Sequence, residues 1–66
     1  MKLLINGEER EVSGSENVAM LVEALGLPAP AMLVEHNGVA LRRGEWPERQ
    51  LHDGDRLEII RVVAGG

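Results

Sequence analysis

Two glycines carry the chemistry this sequence can offer. Gly65 and Gly66 close the chain directly after the apolar run from Leu57 to Val63, with only Ala64 between. A carboxylate on Gly66 is a handle that another protein could activate. A Gly-Gly stalk has no Cβ, so it can pass extended or turned through a narrow channel and bring that carboxylate up to foreign catalytic groups. Small residues also collect at frayed chain ends, where they mean only slack. The run before the glycines favours the first reading, because nearly continuous strand material would hold the base of the stalk rigid, with Ala64 and Gly65 presenting Gly66.

The remaining polar candidates read as structure. Asp53 and Asp55 have the look of a carboxylate pair, but Asp-Gly-Asp ahead of an apolar run is turn chemistry. His36 and His52 share no metal-ligand spacing, so no metal site is expected, and a lone histidine beside a turn reads as a surface residue. Trp46 is the single aromatic residue and reads as a plug at the edge of the core, with a partner anchor as the other use of such a ring. Ile60 and Val62 share one parity of the last strand. They are either ordinary buried strand residues or an exposed patch for docking a partner.

Charge and composition narrow the function classes. Seven basic residues stand against eleven acidic ones, a net charge of −4, and the basic residues are scattered from Lys2 to Arg61. Neither the cationic stripe nor the stacking aromatics of a nucleic-acid binder is present. An acidic surface of this kind suits a basic protein groove instead. The chain has no cysteine, hence no disulfide and no thiolate metal cage, which fits a reducing, cytoplasmic setting. No stretch has the length of a membrane span or the pattern of a secretion signal. At 66 residues there is no room for a second core or a large enclosed pocket, and no pocket, nucleophile and base can be assembled from these residues into an enzyme site.

Hydrophobic periodicity supplies the elements that must carry the tail. Lys2 to Asn6 is a short apolar run, Asn6-Gly7-Glu8 reads as a tight turn, and Arg10 to Val12 can pair back as a second strand. The period then changes. Val18, Leu21, Val22 and Leu25 fall on one stripe of a helix of about ten residues, ended by Gly26 and kept from resuming by Pro28. Its start has two candidate signals, Asn17 as a cap or Ser13 and Glu16 at capping-box spacing.

Beyond the Pro28 to Pro30 spacer, Met32-Leu33-Val34 predicts a strand ending at the Asn37-Gly38 turn, followed by a partner strand through Val39 and Leu41. Arg42 to Gln50 reads as a loop or single helical turn. The last strand, Leu57 to Val63, has apolar residues at both parities, as expected for a central strand buried on one face and partly covered on the other. Hairpin, helix and further strands in this order predict an α+β fold of the β-grasp type, a mixed sheet wrapped on one main helix with the last strand beside the first. The expected domain spans residues 1–63, with residues 64–66 as a flexible tail.

Taken together, these features resemble the ThiS-type sulfur carriers of thiamine biosynthesis, small ubiquitin-like proteins ending in Gly-Gly. The resemblance runs the whole length. It rests on the opening strand with Asn6-Gly7, the Asn17-Val18 helix entry with Leu21 and Leu25-Gly26, and the Glu35-His36-Asn37-Gly38 turn. Glu45-Trp46 and Asp53-Gly54-Asp55, leading into Val62-Val63-Ala64-Gly65-Gly66, complete it. Leu41-Arg42-Arg43 departs from the pattern, since relatives often carry proline there.

The resemblance implies that a ThiF- or MoeB-like adenylating enzyme uses ATP to activate the Gly66 carboxylate. A persulfide donor, such as a cysteine desulfurase system, would then convert it to a thiocarboxylate, and a ThiG-like thiazole synthase would take the sulfur. The chain itself would bind no cofactor and act as a carrier, not an enzyme. Two relatives of the same tail chemistry remain beside it: the small subunit of molybdopterin synthase, and ubiquitin-related modifiers joined to lysines. A plain interaction module with an inert tail is the reading from a different class.

Overall fold

A computed structural model of the chain describes residues 1–62. Five strands form one sheet: β1 (Lys2–Ile5), β2 (Glu8–Glu11), β3 (Met32–His36), β4 (Val39–Leu41) and β5 (Arg56–Arg61). The sheet order is β2-β1-β5-β3-β4. Neighbours pair antiparallel except β1 and β5, which run parallel with Leu4 opposite Arg56 and Ile5 opposite Leu57. The last strand therefore lies beside the first at the centre, as the β-grasp reading requires. The helix α1 (Val18–Ala24) buries Val18, Leu21 and Val22. Against it stand Leu3 and Ile5 of β1, Met32 and Val34 of β3, and Leu57 and Ile59 of β5, in one apolar cluster closed by Leu41, Trp46 and Leu51.

Local sequence explains the ends of these elements. Asn17 is the N-cap, its Oδ1 accepting the Met20 amide at 2.9 Å, so of the two start signals the asparagine is the one used. The helix is shorter than the stripe suggests, because Leu25 is already its C-cap and half-buried. Gly26 follows at φ +70. Its amide donates to the Glu23 carbonyl, and the Leu27 amide donates to that of Val22, the paired bonds of a Schellman ending.

Both Asn-Gly turns have left-handed backbone at each residue, Asn6 and Asn37 near φ +50 and +49, with Gly7 and Gly38 at +81 and +84. That geometry matches the twist of the strands they join. The first turn is two residues long, so β2 begins at Glu8, two positions before the expected Arg10. With four charged and exposed residues, β2 is an edge unsuited to pairing with foreign strands.

Arg43–Glu48 forms a short 3-10 helix, held at its start by the Arg42 amide donating to Glu45 Oε1 at 2.8 Å. Trp46 is 2% exposed and plugs the core edge as expected. The chain then runs along the start of α1, where the Val18 amide donates to the Arg49 carbonyl and the Leu51 amide to that of Glu16.

Candidate functional site

β5 carries the tail, and every neighbour stiffens it. It is hydrogen-bonded to β1 on one side and β3 on the other, and the Val62 amide donates to the Ala31 carbonyl at 2.7 Å. Asn6 adds a clamp that the turn motif does not announce. Its side-chain Oδ1 accepts the Ile59 amide at 2.7 Å and its Nδ2 donates to the Ile59 carbonyl at 3.0 Å, so one amide side chain replaces a strand neighbour where β1 has ended. Asn37 makes half of such a clamp at the other end, its Oδ1 accepting the Arg56 amide at 2.8 Å. The base of the stalk is rigid up to Val62. Val63, expected as the last strand residue, and Ala64, Gly65 and Gly66 lie outside the described residues.

The expectation of a partly covered outer face on β5 is corrected. Leu57 and Ile59 point into the core, while Ile60 is 53% and Val62 44% exposed. Among the described residues one α-helix covers one side of the sheet, and no second layer covers the other. Leu33, directly opposite Ile60 on β3 and 57% exposed, joins them in an apolar patch on the open face. An exposed apolar patch of this kind is the arrangement expected of a docking surface.

His36 requires a second correction. It is buried, not a surface residue, because alternation along β3 places it on the same face as Met32 and Val34. Its Nδ1 accepts from Arg49 Nε at 2.9 Å and its Nε2 lies 2.7 Å from Asp55 Oδ2. A guanidinium is always a donor, so Nδ1 is the unprotonated nitrogen and Nε2 carries the proton given to Asp55. Asp55 Oδ2 also accepts the His52 amide at 2.8 Å, and Oδ1 accepts from Asn37 Nδ2 at 3.1 Å. Asp53 fits the turn reading, accepting the Lys2 amide at 2.7 Å. Among the described residues, no three histidine or acidic side chains converge as metal ligands.

Burial would raise the Asp55 carboxyl, but the hydrogen bonds from His36, Asn37 and the His52 amide outweigh it and hold the group below its ordinary value of 3.8. A depressed carboxylate stabilises the fold above the ordinary range and loses that contribution as pH falls through its folded value. The gap in unfolding free energy between wild type and Asp55→Asn is therefore expected to shrink as acid denaturation series descend below the ordinary carboxylate range. A constant gap across that window would refute this role for Asp55.

The sequence and the overall fold are matched by known proteins. The ThiS family model matches residues 3–66. The chain belongs to the ThiS family. A solved ThiS thiamine biosynthesis protein from Geobacter metallireducens superposes over the whole of both chains with a TM-score of 0.85 and 36% identity. The sulfur carrier protein ThiS of Thermus thermophilus is 32% identical over 62 residues, 94% of this chain and 95% of that protein. A thiazole synthase of Paramagnetospirillum magneticum is 39% identical over all 66 residues, and this ThiS-family chain spans only 20% of its length.

Proposed function

We propose that this chain is a sulfur carrier of thiamine biosynthesis, with Gly66 as the residue that is activated and sulfurated. The observation that carries the reading is family membership over residues 3–66, a match that runs to the diglycine itself. In this scheme an adenylating enzyme binds ATP, the Gly66 carboxylate attacks the α-phosphorus, and pyrophosphate leaves. A carboxylate is a poor acyl electrophile; the acyl-adenylate is a good one. The terminal sulfur of a persulfide then attacks the acyl carbon and AMP leaves. A thiol reductant cleaves the resulting acyl disulfide, giving a thiocarboxylate on Gly66. The carrier contributes the acyl group and the partners contribute ATP and sulfur, consistent with a chain that has no cysteine.

A thiazole synthase is the proposed recipient. Similarity along the whole of this chain to part of a thiazole synthase supports that recipient over a lysine or a molybdopterin precursor. Ile60 and Val62 are the proposed docking residues for the adenylating enzyme, and Ala64 and Gly65 present Gly66 to its active site. Incubation with a cognate adenylating enzyme, ATP, a persulfide donor and a thiol is expected to exchange one oxygen of Gly66 for sulfur, read by intact mass. A carrier whose mass is unchanged beside an enzyme that charges its own known substrate would sink the proposal.

A further inference from the structure

On the open face, one row of the sheet is at odds with itself. Glu35 of β3 and Glu58 of β5 stand directly opposite each other, with Ala40 of β4 as the next neighbour across the sheet. Residues so paired have Cβ atoms about 4.5–5.5 Å apart, and like charges there destabilise the pair. Among the described residues neither carboxylate has an ion-pair partner; Arg56, on the same face two residues along β5, pairs with neither. The adjacent row is the exposed Leu33–Ile60 pair. Between the two rows lies a notch of about 110 Å³, lined on this face by Leu33, Ala40 and Ile60 together with Glu35 and Glu58.

An apolar lining together with two carboxylates matches one kind of side chain. Arginine lays an aliphatic stem along apolar surface and ends in a planar fork that can bond two carboxylates at once; the compact ammonium of lysine cannot span them in the same way. We propose that this notch is a socket for an arginine of the docked adenylating enzyme, its stem over Leu33 and Ile60 and its guanidinium between Glu35 and Glu58. This rests on the carrier reading and names the chemistry that its docking face selects. The socket also has the right place in the chain. Its Ile60 side lies two residues before Val62, and the four residues from Val62 to Gly66 reach at most about 14 Å. An arginine seated here fixes where the partner's adenylation site must lie. The repulsion stored in the free carrier is relieved on binding, which favours the correct partner and penalises an uncharged or acidic surface.

Two measurements test the socket separately from the carrier reading. In amide NMR spectra of the full chain, N-acetylarginine amide at millimolar concentration is expected to shift Leu33, Glu35, Glu58 and Ile60. The citrulline counterpart, equal in shape and uncharged, should not, and the Glu35→Gln/Glu58→Gln double variant should lose the response. With an adenylating enzyme that charges the wild type, the double variant is expected to raise KM about tenfold at low salt with kcat held, the difference shrinking as salt rises. The same variant should melt no lower than wild type, since it removes a like-charge pair. Equal shifts with citrulline, or equal KM values at low salt, would overturn the socket. If no adenylating enzyme charges the wild type, the carrier reading fails and the arginine titration alone decides the socket.

Discussion

Removal of Gly66 is expected to take thiocarboxylate formation below detection while leaving the fold intact. The new terminal carboxylate on Gly65 sits one residue short, about 3.5 Å back along the stalk. A misplacement of 1 Å at a reacting centre already costs about 10²-fold, so a whole residue should remove the reaction. No comparable effect on stability is expected, because the buried apolar core lies between Leu3 and Ile59. A melting temperature within about 2 °C of wild type would correspond to well under 1 kcal/mol. Intact mass after charging and a thermal melt on the same preparation check both halves. Full conversion of the truncated chain would show that Gly66 is not the reacting residue.

The largest stability effect is expected at His36. Replacing it with alanine leaves Arg49 Nε and Asp55 Oδ2 without their shared partner, and losing part-buried hydrogen bonds to charged groups of this kind costs about 2–3 kcal/mol. A domain of this size has a total stability of only about 3–10 kcal/mol, so much of the population would unfold. The consequence reaches beyond one side chain. Arg49 also accepts the Val18 amide through its carbonyl, and Asp55 stands just before β5, so the bridge ties the helix entry to the strand that bears the tail. Urea unfolding followed by Trp46 fluorescence measures the loss. His36→Phe separates the polar contribution from the cavity: it restores bulk, drops both hydrogen bonds, and is expected to remain strongly destabilised. A phenylalanine variant as stable as wild type would show that the bridge contributes nothing.

Much of the architecture was legible because it rests on local rules. The change of period at Asn17, Gly26 after the helix stripe and the two Asn-Gly pairs each fix backbone geometry within a few residues, and all four reappear in the structure. The helix length and the start of β2 were less legible. They depend on where caps and registers fall, and those answer to tertiary neighbours as well as to sequence. The extra duty of Asn6 and Asn37 was not legible at all. Each looks like a turn residue, and its clamp on β5 exists only because a strand about 50 residues later, or about 20 for Asn37, is brought alongside.

The functional features divide in the same way. The diglycine, the lack of cysteine and the poverty of catalytic side chains are properties of the chain itself, so the proposal that others do chemistry at Gly66 could be read from the sequence alone. Whether Ile60 and Val62 face the core or solvent was left open by the alternation in β5, since they read equally as either. Only the tertiary structure decided it: one helix covers one side of the sheet, and the opposite parity is left to solvent. The same holds for His36, whose surroundings are set by Arg49 and Asp55 thirteen and nineteen residues away, and for Glu35 and Glu58, which become a pair only through the register of β3 on β5. Side-chain chemistry is written residue by residue, but burial and charge pairing are relations between distant segments, and they come into being only when the chain folds.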